Sequence, residues 1–475
     1  MANTRKEKDT LGTVEVPATA YYGAQTQRAV ENFPISGMRA HPLLIRAFGM
    51  VKSAAAQANK ELGLLEASRA DAILRAAQEV IDGKWDGEFV VDVFQAGAGV
   101  SFHMNCNEVI ANRANEILGG KLGVYDKVHP NDHVNYGQST NDIFPTGMRV
   151  GALLALETLY PVLDALAASF ESKGKEFHGV MKSGRTHMQD AVPIRLGQEF
   201  AAYAVAIRKA HAHIAQAADA LREVGLGGSA VGTGLNTHPD YRAKAIAHLA
   251  RISGLKLAPA EDMCWAMQSN ACMGQVSAAL RALALEVVRI SNDLRLLSSG
   301  PNTGLREISL PAMQPGSSIM PGKINPVLPE MATMVCFQVI GNDAAVAYAV
   351  QAGQLELNVM MPTMTYSVMQ STTLLANALR QYDQHCIRGI TANGKRCQFY
   401  AESTVSLATA LNPYIGYAKA AEIVKESVAT GRSVLDIARE KKLLGEREIA
   451  EILDPVRMTT PQIPLDAAAR RDETK

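Results

Sequence analysis

The stretch Gly316-Ser-Ser-Ile-Met-Pro-Gly-Lys-Ile-Asn-Pro326 holds two hydroxyls, one ammonium and one amide on a backbone that cannot pair regularly. Two glycines and two prolines in eleven residues rule out a helix or a strand and admit unusual backbone angles. Ser317, Ser318, Lys323 and Asn325 all donate hydrogen bonds, a set suited to a substrate that carries carboxylates. The same residue types also make ordinary surface turns. Here the flanks, Leu310-Pro-Ala and Val327-Leu-Pro, are apolar, which predicts a loop tucked in rather than solvated.

Three further polar segments interrupt the apolar pattern: Gly97-Ala-Gly-Val-Ser-Phe-His-Met-Asn, Gly137-Gln-Ser-Thr-Asn-Asp and Gly184-Arg-Thr-His-Met-Gln-Asp. Each brings hydroxyls, amides or a histidine and few carboxylates. If the four converge, the site is rich in donors and poor in negative charge, which fits a dianionic substrate. Bland readings stand beside this one. His187 taken alone reads as a capping or partly buried histidine, and His211 on a helical seam as a satisfied core residue. His129 and His133 have a zinc-like spacing, but Pro130 and Asn131 break the helix that would align their rings, and no third ligand stands out. The Gly225–Gly234 run lacks the lysine of a phosphate loop and reads as a turn between helices.

The elements that must hold these loops are helices. Val276, Leu280, Leu283, Val287, Ile290, Leu294 and Leu297 recur at alternating steps of four and three, with no Gly or Pro between them. Ile207, His211, Ile214, Ala218 and Leu221 form a second seam, and residues 150–166 a third. Residues 41–95 read as helices broken near Gly63 and Gly83, residues 107–118 as another helix, and residues 129–142 as irregular. Residues 1 to about 40 read as an extended lead-in, and Ala467–Lys475 as a disordered tail. Strand-like alternation is scarce. The expectation is an all-α protein, an elongated bundle of long helices with a smaller domain at each end: residues 1–141, 142–393 and 394–475. Apolar stripes this wide exceed what one bundle needs and predict a homo-oligomer.

Composition narrows the function classes. Apolar content of 47% allows a large core, and 47 basic residues balance 47 acidic ones, so no electrostatic case exists for nucleic acid or an anionic membrane. The first residues lack an apolar signal region, and no apolar run reads as long enough to span a bilayer. Six scattered cysteines without a CxxC pair fit reduced thiols, and the expectation is a cytoplasmic protein.

The central loop resembles the hallmark loop of the aspartase/fumarase superfamily. The resemblance extends over nearly the whole chain, through Asn107-Glu-Val-Ile-Ala-Asn-Arg-Ala, His129-Pro-Asn-Asp-His-Val-Asn, Gln138-Ser-Thr-Asn-Asp, Gly184-Arg-Thr-His-Met-Gln-Asp-Ala, Gly232-Thr-Gly-Leu-Asn, Ser298-Ser-Gly-Pro and Leu411-Asn-Pro-Tyr-Ile-Gly-Tyr. It implies a three-domain helical fold, a homotetramer built on a central helix bundle, and active sites shared between three subunits. Gln314-Pro, Val327-Leu-Pro-Glu, Gln95-Ala-Gly-Ala-Gly and the run from Gln351 to Met360 look like the aspartate ammonia-lyase branch. His129-Pro-Asn-Asp-His looks like the class II fumarate hydratase branch.

The implied reaction is a reversible anti elimination of ammonia from L-aspartate to give fumarate, through an aci-carboxylate intermediate. The alternatives are the malate/fumarate reaction or a substituted aspartate. By resemblance Ser317 is the base, helped by Lys323, and Ser139, Thr140 and Ser318 hold the carboxylate that gains charge. Thr186, Lys323 and Asn325 clamp the other carboxylate, Asn141 and His187 lie near the leaving amine, and Glu330 orients His187. No cofactor and no metal is implied, because the amine leaves without an electron sink. Two departures bear on the substrate. Val100 stands where the ammonia-lyases carry a substrate-touching Thr, so either the grip is weaker, or Ser101 or His103 substitutes, or the substrate is not plain aspartate; and Tyr136-Gly137 replaces the usual Met-Ser. The amidine lyases of the same fold carry a different central loop, and a purely structural descendant predicts loss of Ser317, Lys323 and Asn325, all present here.

Overall fold

A computed structural model describes residues 3–461, so the tail expected from Ala467 to Lys475 lies outside the described residues. The chain opens on an antiparallel hairpin of β1 (Thr4–Asp9) and β2 (Gly12–Pro17), followed by helix α1 (Ala24–Asn32). An extended lead-in was the expectation here, because the strands are short and charged. Their charges are used internally: Arg5 pairs with Glu7 and donates to the carbonyls of Pro17, Ala18, Ala20 and Tyr22. Val14 and Val16 face inward.

Helices α2 (Pro42–Glu61) and α3 (Ala67–Ile81) end near Gly63 and Gly83, both with φ between 70° and 80°, where the sequence predicts the breaks. Both pack in one layer with α4 (Val100–Ile117), whose expected start at Asn107 comes seven residues too late. Ser101, His103, Asn105 and Asn107 are polar yet buried, so this turn-rich composition belongs to a helix that uses its polar groups internally.

Five long helices dominate the remainder: α5 (Thr140–Glu176), α6 (Leu196–Asp219), then, after the shorter α7 (Tyr241–Ser253) and α8 (Met263–Gln268), α9 (Ala271–Leu297), α10 (Val327–Gln351) and α11 (Met361–His385). All seven residues of the α9 seam are buried. The class is all-α. Between α5 and α6 lies one two-stranded hairpin, β3 (Met181–Thr186) and β4 (Gln189–Arg195).

The chain forms two compact units. One comprises residues up to Pro161 with Ala210–Leu285 and Met334–Asn377; the other comprises Val162–Lys209, Glu286–Thr333 and the chain from Ala378 onward. Within the first, Asp343 on α10 accepts from Ser277 and pairs with Arg281 on α9, and Asn342 donates to Gln370 and Ser371 on α11. Within the second, Tyr203 on α6 donates to Asp293 on α9, Ser291 shares a hydrogen bond with Tyr382, and Leu407, Leu411, Ile423, Val434, Ile437 and Ile449 form a C-terminal core.

By length and composition α5, α9 and α10 could each cross a membrane, which corrects the expectation that no apolar run is long enough. Burial separates them: the most apolar window of α5 is 61% buried and that of α9 50%, but that of α10 only 33%. Met334, Phe337 and Tyr348 stand exposed on α10.

Candidate active site

In the first unit two helix N-termini meet. Gly99 begins α4 at φ 82°, where a side chain would overlap the ring of buried Phe144, so the chain enters the helix only as glycine. Phe102 N–H is capped by Gln95 Oε1 at 2.8 Å. At the start of α5, Ser139 Oγ accepts from Asn141 N–H at 3.2 Å, and Asp142 Oδ1 reaches back to Ser139 N–H at 2.9 Å. This is a reciprocal cap. Asp142 Oδ2 also accepts from Gly227 N–H at 2.9 Å, and Asn141 Nδ2 donates to Ala230 O at 2.8 Å. The glycine-rich 225–234 run is therefore a brace for the start of α5, in keeping with its reading as a turn. Burial pushes the Asp142 carboxyl up to about 6 against the hydrogen bonds from this brace.

A buried polar chain joins the two N-termini. Thr140 Oγ1 lies 2.7 Å from His103 Nδ1, and His103 Nε2 lies 2.7 Å from Lys52 Nζ. Lys52 also donates to Asn135 Oδ1 at 2.9 Å and Gln138 Oε1 at 2.8 Å. Burial, and then the Lys52 charge, hold His103 well below its usual value, and burial brings Lys52 down to about 7. Both effects favour the neutral form of the His103 ring. Two helix N-termini and their hydroxyls give this unit an anion-receptive edge.

In the second unit, Thr186 and Gln189 pair across the hairpin, which leaves His187 and Met188 as the two turn residues, at φ 53° and 61°. Asn-Gly is the usual occupant of such a turn. Two bulky residues held there are strained, a mark of a site where side-chain position matters more than local stability. The hairpin is anchored by Arg185, which donates to both oxygens of fully buried Glu307 at 3.0 Å, and by Lys182, 3.4 Å from Glu307 and 2.7 Å from Glu199. In the central loop, Ser317 Oγ accepts from the N–H groups of Ile319 at 3.2 Å and Met320 at 2.9 Å. Two N–H dipoles on one oxygen favour its anionic form. Gly316 N–H donates to Lys323 O at 2.8 Å, and Asn325 Nδ2 donates to Gly316 O, closing the loop; a Cβ on Gly316 would crowd the Lys323 carbonyl. The loop is not tucked in within one chain: Ile319 is 84% exposed. Of the apolar flanks, Val327-Leu-Pro opens α10, and Leu310 and Pro311 are half-buried.

Residues 12–341 match a family model described as lyase, and residues 407–460 match one for the fumarase C C-terminus. The chain belongs to the aspartase/fumarase lyase family. It is 50% identical over 471 residues to an aspartate ammonia-lyase of Pseudomonas aeruginosa, covering 98% of this chain and 99% of the relative. It is 50% identical over 457 residues to a class II fumarate hydratase of Halobacterium salinarum, covering 96% and 97%. A solved fumarate lyase:delta crystallin from Brucella melitensis matches with a TM-score of 0.94 at 48% identity, covering 97% of this chain and 100% of that one.

Within this lyase, the first unit brings Ser139, Thr140 and Asn141 together on one helical turn and ties that turn to the start of α4, where Ser101 is buried and Val100 is 42% exposed. The second unit brings Ser317, Ser318, Lys323 and Asn325 together in one closed loop, and Thr186 and His187 at one hairpin tip. Glu330 sits in the first turn of α10, and among the described residues no ion pair joins it to His187 within one chain. His129 and His133 cap and brace their own turn: His129 Nδ1 accepts from Asn131 and Asp132 N–H, and His133 Nδ1 from His129 N–H. His211 stacks on Tyr160 at 4.9 Å. Lys52 and Asp142 are the residues of this site to which the sequence reading gave no role. Asp142 was legible through the Ser-x-x-Asp spacing of 139–142, a helix-start signature. Lys52, in the Ala-rich run Val51-Lys-Ser-Ala-Ala-Ala, reads as a solvated lysine.

Proposed function

We propose that this lyase is an aspartate ammonia-lyase, catalysing the reversible conversion of L-aspartate to fumarate and ammonia. The observation that carries the reading is the full-length likeness to the Pseudomonas aeruginosa aspartate ammonia-lyase, in a chain that retains the central loop Gly316–Pro326 intact. In the proposed mechanism Ser317 takes a proton from the carbon beside the β-carboxylate. The electron pair spreads into that carboxylate as an aci-carboxylate, which Ser139, Thr140 and Ser318 hold through their hydroxyls. The pair then forms the double bond as the carbon–nitrogen bond breaks and ammonia leaves past Asn141 and His187. Thr186, Lys323 and Asn325 clamp the other carboxylate, Ser101 lines its side, and Glu330 orients His187. The two N–H groups on Ser317 Oγ support its role as base, since they stabilise an alkoxide. The chemistry asks for no metal or organic cofactor.

The assembly proposed is a homotetramer with each site shared by three copies. The exposed apolar residues Met334, Phe337 and Tyr348 of α10 and the exposed Ile319 and Met320 of the central loop support it. Six free cysteines support a reducing, cytoplasmic setting. A second reading, class II fumarate hydratase, is favoured by the Halobacterium salinarum relative and by His129-Pro-Asn-Asp-His. Purified protein incubated with L-aspartate and, separately, L-malate, with fumarate followed by ultraviolet absorbance, decides between them. Fumarate from aspartate alone supports the ammonia-lyase; fumarate from malate alone replaces it with the hydratase. Fumarate from neither directs the search to substituted aspartates.

A further inference from the structure

Lys52 lies in the middle of α2 with no exposed surface, and it meets three partners: Asn135 Oδ1, Gln138 Oε1 and His103 Nε2, at 2.9, 2.8 and 2.7 Å. The two amides are fixed as acceptors toward it. Gln138 Nε2 is occupied by Val134 O at 3.1 Å and Tyr136 O at 3.2 Å, and Asn135 Nδ2 by Gln138 O at 3.2 Å. Beyond His103, the other ring nitrogen meets Thr140 Oγ1, and Thr140 is half-buried at the first turn of α5. A chain therefore runs from a buried amine, through one imidazole, to one hydroxyl at the proposed substrate.

This chain has a direction, and the direction is set by counting protons. A neutral imidazole carries one N–H. An ammonium has three N–H groups for three acceptors, so His103 Nε2 accepts, Nδ1–H donates to Thr140 Oγ, and the Thr140 hydroxyl proton is left to point away as a donor. A neutral amine has two N–H groups and one lone pair. The amides take the two N–H groups, the lone pair accepts Nε2–H, and Nδ1 accepts the Thr140 proton. The outward side of Thr140 is then lone pairs, which repel a carboxylate. Asn107 Nδ2, 3.5 Å from Nε2, weighs toward the first arrangement.

We propose that Lys52 is a positioning residue of this lyase: through His103 its ammonium sets the Thr140 hydroxyl as a donor to the substrate carboxylate, and its deprotonation reverses that hydroxyl. The proposal rests on the reading that Thr140 holds the carboxylate. The groups facing Lys52 are Cys106 and His103 from α4, Asp142 from α5, and the amides of Asn135 and Gln138. Cys106 is a neutral thiol, pushed up to about 12 by burial, and Asp142 favours the ammonium. Burial opposes it, which brings the reversal near neutral pH.

The test measures the inhibition constant of succinate, a non-reacting dicarboxylate, and kcat and KM for L-aspartate, between pH 6 and 9. The proteins are the wild type, Lys52→Met, Lys52→Gln, Thr140→Ala and the Lys52→Met/Thr140→Ala double variant. The wild-type succinate constant is expected to rise about tenfold across the window, the scale of one hydrogen bond to a charged group. In Lys52→Met and Thr140→Ala it is expected to start high and stay flat, and in the double variant to be no higher than in either single one. Losses that multiply in the double variant, or a rising limb that survives in Thr140→Ala, overturn the proposal. The Thr140→Ala comparison decides the matter even if neither Lys52 variant folds. Wild-type protein that neither converts aspartate nor binds succinate overturns the functional reading as well. Conversion and binding with multiplying losses overturn the role of Lys52 alone.

Discussion

Glu307→Gln is a sharp test of how the hairpin that carries Thr186 and His187 is held. Glu307 is fully buried and faces two cations, Arg185 at 3.0 Å and Lys182 at 3.4 Å. Glutamine keeps the volume but removes the charge, and its amide nitrogen must face one of those cations. Removing one partner of a buried ion pair costs about 3–5 kcal/mol, chiefly by leaving the other charge uncompensated. Lys182 keeps Glu199 at 2.7 Å, which places the cost at the lower end, about 3 kcal/mol. At 1.4 kcal/mol per factor of ten, that is a change in hairpin opening on the order of a hundredfold. Hydrogen–deuterium exchange read by mass spectrometry reports it directly. Peptides over residues 181–195 are expected to exchange about a hundredfold faster, while peptides over α2 stay unchanged. The Glu307→Gln/Arg185→Gln double variant is expected to recover part of the loss, since it leaves fewer unpaired charges. An acceleration below tenfold, or one spread equally over both units, refutes the claim that this carboxylate anchors the hairpin.

Ser317→Ala is expected to lower kcat by about 10³-fold or more, in line with loss of a general base, while melting moves little because the loop is exposed; retention of more than a few per cent of activity rejects Ser317 as the base. Val100→Thr adds a hydroxyl at an exposed first-turn position and is expected to lower KM for aspartate several-fold, whereas reduced turnover means a pocket shaped for another substrate. Gly99→Ala meets both a left-handed φ and the Phe144 ring and is expected to cost about 2–4 kcal/mol, seen as a lower melting temperature; unchanged melting contradicts the enforced entry into α4. Lys52 titrates near 7 when folded and near 10.4 when unfolded, so between those values the unfolded chain binds the extra proton and stability rises with pH. Relative to Lys52→Met, the wild type is expected to gain about 3.5 kcal/mol from pH 7 to pH 10 in denaturant titrations, and a flat difference contradicts the depressed value.

What the sequence disclosed follows from what each residue must satisfy. The central loop was legible because Gly316, Pro321, Gly322 and Pro326 forbid regular structure, and the α9 seam because an apolar repeat without Gly or Pro has one outcome. The start of α4 was not, since its polar residues are buried and satisfied by distant partners rather than by water. The β3–β4 hairpin was hidden because its turn residues, His187 and Met188, carry none of the usual turn chemistry. Lys52 was hidden for a related reason. Its three partners lie 51 to 86 positions away, and no local pattern announces them.

That separation has a consequence for how the molecule comes to life. Helices form within microseconds from local contacts, but closing loops of 37 to 86 residues waits for whole helices to dock. The Thr140 hydroxyl acquires its orientation only when α2, α4 and α5 are in register together. A refolding intermediate with its full complement of helices therefore has a mute site. Catalysis is a late reporter of folding, and its return after dilution from denaturant should lag the return of the helical signal by the time that docking takes.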